Sequence, residues 1–81
     1  MPKLKILSGR ELIDIFSNFG FHAIDQNGSH AKLRRHQNGE KQTLTIPTHK
    51  EIDKGLLKAI LTQASIYVSE QELRVYFYNE N

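Results

Sequence analysis

The chain contains no cysteine, which excludes disulfides, thiolate nucleophiles and cysteine-based zinc sites. It has no H-E-x-x-H, and its carboxylates do not cluster, so neither a zinc-hydrolase helix nor a paired-acid Mg²⁺ nuclease site is expected. No stretch approaches the ~20 apolar residues of a membrane span. The lysines within Met1–Leu7 are followed by no apolar run, so they do not form a signal peptide, and a cytoplasmic location is the expectation. Within 81 residues there is no room for a βαβαβ half-domain with its glycine fingerprint, so no dinucleotide cofactor is expected. Charge is not lopsided either. Against 9 Asp+Glu stand 11 Lys+Arg, a formal +2 that permits an anionic partner without demanding one.

What is present is 38% apolar and 25% charged, a globular balance. The expected organisation is a single domain over 1–81, with a core over 6–66 and a short C-terminal helix at about 69–77. A chain of this size buries only ~60% of its unfolded surface, so the core is small.

Helix signals come first. Ser8 and Glu11 have capping-box spacing, and Leu7 and Leu12 stand at the positions of a hydrophobic staple. Leu12, Ile13, Phe16 and Phe19 recur at helical spacing, and Gly20 follows as a terminator, predicting a helix over Gly9–Phe19. Then come three strand candidates separated by turn signals: Phe21–Gln26, Asn27-Gly28, His30–His36, Asn38-Gly39, and Lys41–Ile46 ended by Pro47. A second helix is predicted over Lys54–Gln63 with Asp53 as N-cap, an earlier start near Thr48 being the competing reading. Ser69 and Glu72 repeat the capping spacing and predict a third helix to Tyr76, with Leu73, Tyr76 and Phe77 docking on the body and Tyr78–Asn81 loose.

The order α-β-β-β-α places the chain in the α+β class. A three-stranded antiparallel sheet with both helices on one face buries every apolar stripe and leaves the other face open. On the middle strand, alternation sends Ala31 and Leu33 inward and His30, Lys32, Arg34 and His36 outward. Alternate strand residues lie ~6.6 Å apart, a spacing that can follow a phosphate backbone. The segment from His22 to Lys50 holds five basic residues (Lys32, Arg34, Arg35, Lys41, Lys50) against two acidic ones, while the rest of the chain has six against seven. The same row also suits an ordinary solvated sheet face.

Among single residues, His30 is the sharpest candidate. It follows a tight turn and opens a strand, and histidine can exchange a proton near neutral pH. It can take the proton of an RNA 2′-hydroxyl while Lys32 and Arg34 hold the phosphate oxygens. His49, after Ile46-Pro47-Thr48, lies at the end of the third strand, near the start of the second, and is the candidate for a second proton-transfer group. Ser29 points away from His30 on an extended strand, which argues against a Ser–His nucleophile pair.

Several ordered pieces resemble the HicA family of small toxins, also called YcfA-like, from type II toxin–antitoxin systems. They are Ser8-Gly9-Arg10-Glu11-Leu12, Gly20-Phe21, Gln26-Asn27-Gly28-Ser29-His30, Thr45-Ile46-Pro47-Thr48-His49 and Lys54-Gly55-Leu56-Leu57-Lys58-Ala59-Ile60-Leu61. The chain differs from the family's usual pattern at Leu56 and at Ala31. The resemblance implies a fold similar to a double-stranded RNA-binding domain. It also implies a metal-independent mRNA interferase without cofactor, with His30 as the essential histidine, and a HicB-like antitoxin as partner. The expected RNA-binding set is Gly28, Ser29, Lys32, Arg34 and Lys41. A non-catalytic RNA-binding module and a protein-interaction domain are the alternatives, and a neighbouring gene for a HicB-like protein would separate the three.

Overall fold

The computed structural model describes residues 3–79. Its elements are β1 (Lys3–Leu4), α1 (Gly9–Ser17), β2 (His22–Asn27), β3 (His30–Gln37), β4 (Glu40–Pro47), α2 (Lys54–Ala64), α3 (Glu70–Phe77) and β5 (Tyr78–Asn79). Strands β2-β3-β4 form an antiparallel meander, and β1 pairs with β5 in a separate two-stranded ribbon. The α+β architecture with the α-β-β-β-α order is therefore as the sequence predicts.

Local chemistry explains most boundaries. The Ser8 hydroxyl accepts the Glu11 N–H at 3.0 Å and the Glu11 carboxylate accepts the Ser8 N–H at 2.9 Å, a complete capping box. Such a cap contributes about 1 kcal/mol. The helix stops at Ser17, two residues before the predicted end. There the N–H groups of Phe19 and Gly20 donate to Phe16 and Ser17, tightening the chain into i→i−3 turns. Asp53 caps α2 by accepting the Leu56 N–H at 2.8 Å. The earlier start near Thr48 is not taken, because the Thr48 N–H donates instead to Ser29 O at 2.7 Å and extends the β3–β4 ladder. Ser69 caps α3 as predicted.

Both hairpins close with two-residue turns. Asn38 and Gly39 both have positive φ, the I′ pattern. The first hairpin is shifted by one residue from the Asn27-Gly28 reading. Asn27 pairs with His30, so Gly28 (φ 56°) and Ser29 form the turn, a II′ pattern that needs glycine first.

One face of the meander is covered. Ala31, Leu33, Leu44 and Ile46 join Leu12, Phe16, Phe21, Leu57, Leu73 and Phe77 in a single buried cluster with the helices. Phe16 sits at its centre, with its ring centroid 6.1 Å from those of both Phe21 and Phe77. The chain's end corrects one expectation. Tyr78 and Asn79 are not loose but pair with Leu4 and Lys3; Glu80 and Asn81 lie outside the described residues. No helix among the described residues is long and apolar enough to cross a membrane.

Candidate active site on the open sheet face

Register decides what the open face carries. His22 pairs with Arg34 and Ala23 with Leu33, but Asp25, not Ile24, is the next partner, opposite Lys32. This β-bulge at Ile24 reverses the alternation of β2, so His22, Asp25 and Asn27 all stand on the side of His30, Lys32, Arg34 and His36. From β4, Lys41, Thr43 and Thr45 lie opposite His36, Arg34 and Lys32 on the same side.

At one end of this face, Asp25, Asn27, His30, Lys32 and Thr45 line a cavity of about 180 Å³. A single water needs about 10–15 Å³ of such space, so the cavity has room for several waters or a small polar group. His30 opens β3 and is exposed.

The corner that presents His30 is stitched from three chain segments. Thr48 N–H binds Ser29 O at 2.7 Å, Gly9 N–H binds His49 O at 2.9 Å, and Ile52 N–H binds Leu7 O at 2.8 Å. Gly9 is buried where α1 meets β4. A Cβ added there would overlap Pro47 O and stand 2.8 Å from Thr48 Cα, so only glycine allows the approach. The Ser8-Gly9, Asn27-Gly28-Ser29-His30 and Ile46-Pro47-Thr48-His49 pieces, far apart in sequence, thus meet at one end of the sheet.

The other candidates are distributed as follows. Lys32 is exposed at the cavity. Arg34 is half-buried, with its guanidinium 3.2 and 3.4 Å from Thr43 Oγ1. Lys41 lies opposite His36 at the far end of the face, about 20 Å from His30 at the usual strand rise. His49 is exposed and its carbonyl is held by Gly9, but it is not among the residues lining the cavity. His22 and His36 are exposed on the open face. Among the described residues no three His, Cys, Asp or Glu side chains come together as a metal site. A larger open groove of about 750 Å³ lies between Lys3–Leu7, α1, Lys54 and Tyr76, and none of the site candidates lines it.

Arg35, counted in the sequence among the sheet's cations, belongs to the opposite side. Its Nε donates to Gln42 Oε1 at 2.7 Å, and its two terminal nitrogens donate to the Phe19 and Tyr67 carbonyls at 2.8 and 3.1 Å. Its guanidinium carbon sits 4.8 Å from the Phe21 ring centroid. Of the other lining residues, Asn27 and Thr45 stand in the pieces quoted from the sequence without being site candidates there, and Asp25 is singled out by nothing in the sequence. The bulge that brings Asp25 and Asn27 there has no local signature in composition.

Comparison with known proteins gives one match. A family model described as the HicA toxin of bacterial toxin–antitoxin systems matches residues 9–66, more than two thirds of the chain. No curated protein and no solved structure matches it.

Proposed function

This chain belongs to the HicA toxin family of bacterial toxin–antitoxin systems, and on that premise we propose that it is an endoribonuclease that cuts mRNA by proton transfer through His30, without a metal ion. A toxin of this kind has a cognate antitoxin, which in our reading is a HicB-like protein that covers the open face. Such a pair acts in the cytoplasm, where the mRNA is.

One observation carries the reading. His30 stands at the rim of a small cavity beside Lys32, on a sheet face rich in cations and covered by no helix. The imidazole takes the proton of a 2′-hydroxyl, the 2′-oxygen attacks the adjacent phosphorus, and the bond to the 5′-oxygen breaks. That oxygen leaves with a proton from the imidazolium or from water. The products are a 2′,3′-cyclic phosphate, or its hydrolysed form, and a 5′-hydroxyl. Lys32 and Arg34 hold the nonbridging oxygens and offset the charge that develops on them. Gly28 and Ser29 shape the turn that presents His30, Lys41 takes a phosphate farther along, and His49 is the reserve proton-transfer group.

The test is cleavage of single-stranded RNA in EDTA, with analysis of the product ends. Cleavage that persists and leaves cyclic phosphate is the expected result. Activity abolished by chelator and restored by Mg²⁺ or Zn²⁺ would overturn the mechanism. RNA that is bound but never cut leaves the non-catalytic module, which the same phosphate-tracking row would serve.

A further inference from the structure

The open face carries one carboxylate among its cations. Among the described residues of β2, β3 and β4, Asp25 is the acidic residue on that side. Glu40 lies on the other, where its carboxylate accepts from Gln42 Nε2 at 3.2 Å. Asp25 is there only because of the bulge. Strict alternation from His22 would send it to the side opposite His30. Bulges recur beside active sites because they re-aim a side chain.

The carboxylate is held in place. Asp25 Oδ1 accepts the Gln26 N–H at 2.9 Å and Oδ2 lies 3.5 Å from Asn27 Nδ2, so the carboxylate, with about four acceptor sites, keeps capacity for another donor, and it lines the same cavity as His30. Although it stands opposite Lys32, the two form no ion pair; the pair found among the described residues is Arg74–Glu70. A surface that only grips phosphate is weakened by a fixed negative charge at its busiest end. A proton-transfer site gains from it, because an imidazole that has taken a proton is a cation.

We propose that Asp25 is a positioning residue for His30. Its carboxylate receives the ring N–H not engaged in proton transfer, directly or through one water in the cavity, and fixes the ring while the other nitrogen takes the 2′-hydroxyl proton. The imidazole takes the 2′-hydroxyl proton as before and none passes to Asp25; the bonds made and broken at phosphorus are unchanged. The inference rests on the nuclease reading above.

Asp25→Asn keeps the shape and the bond to Gln26 while removing the charge. Its two effects have opposite signs. Affinity for an uncleavable 2′-O-methyl RNA rises roughly two- to fourfold, the scale of one exposed charge pair. Single-turnover cleavage at saturating protein falls about tenfold, the scale of one hydrogen bond to a charged group. Asp25→Glu recovers part of the rate. A structural role for Asp25 would weaken binding and rate together and lower the melting temperature, and that result overturns the inference. So does a parent-like rate for Asp25→Asn in a preparation where His30→Ala is inactive. Failure of the parent protein to cut RNA sinks the nuclease reading first, and this inference with it.

Discussion

Arg34 and Arg35 are neighbours in the chain and face opposite ways. Arg35 points under the sheet, where Gln42, two backbone carbonyls and an aromatic ring occupy it. Those carbonyls come from the turn after α1 and the turn after α2, so one guanidinium ties both helix ends to β4. Arg34 points out and touches one threonine hydroxyl. The difference is a single step along a strand whose side chains alternate. It teaches that the cations of a segment cannot be read as one patch. The outer side owns Lys32, Arg34 and Lys41, and the inner side has turned its arginine into a structural clamp.

The largest effect that would break this comparison is on stability. Arg35→Ala removes a half-buried fork of charge-assisted bonds and should destabilise by about 2–3 kcal/mol in urea denaturation. Arg35→Lys should recover little of that, because an ammonium cannot reach three acceptors in a planar fork. Arg34→Ala should stay within about 0.5 kcal/mol of the parent. Equal losses at the two positions would show that the faces are not divided in this way.

A smaller effect sharpens the outer side. Lys32→Ala and Arg34→Ala should each flatten the salt dependence of RNA binding, by up to roughly 0.7 in the log–log slope per lost single-strand phosphate contact. Arg35→Ala, measured below its melting temperature, should leave that slope unchanged. Filter binding at several salt concentrations reads all three, and an Arg35→Ala slope as flat as that of Arg34→Ala would contradict the assignment.

Much of this was legible because its causes are local. The caps at Ser8, Asp53 and Ser69 and the Asn38-Gly39 turn depend on residues within four positions of one another. The face of β3 could be read because Ala31 and Leu33 are buried and impose the alternation on His30 and Lys32. β2 offered no such pattern. All six of its residues are exposed, so nothing in its hydrophobicity fixes which side each faces, and the bulge at Ile24 stayed hidden together with Asp25 and Asn27. Arg35 looked like any sheet cation because its carbonyl partners lie 16 and 32 residues away. The pairing of Lys3–Leu4 with Tyr78–Asn79 joins two-residue strands, too short to carry a period.

The central claim is that His30 performs chemistry and does not merely hold RNA. Its most direct test pairs two measurements on His30→Ala: affinity for an uncleavable RNA, and cleavage of the same sequence at saturating protein. A general acid–base group is worth ~10²–10⁴-fold, so cleavage should fall by that factor while affinity stays within about twofold of the parent. A His30→Ala protein that cuts at the parent rate once saturated would contradict the account and move the search to His49.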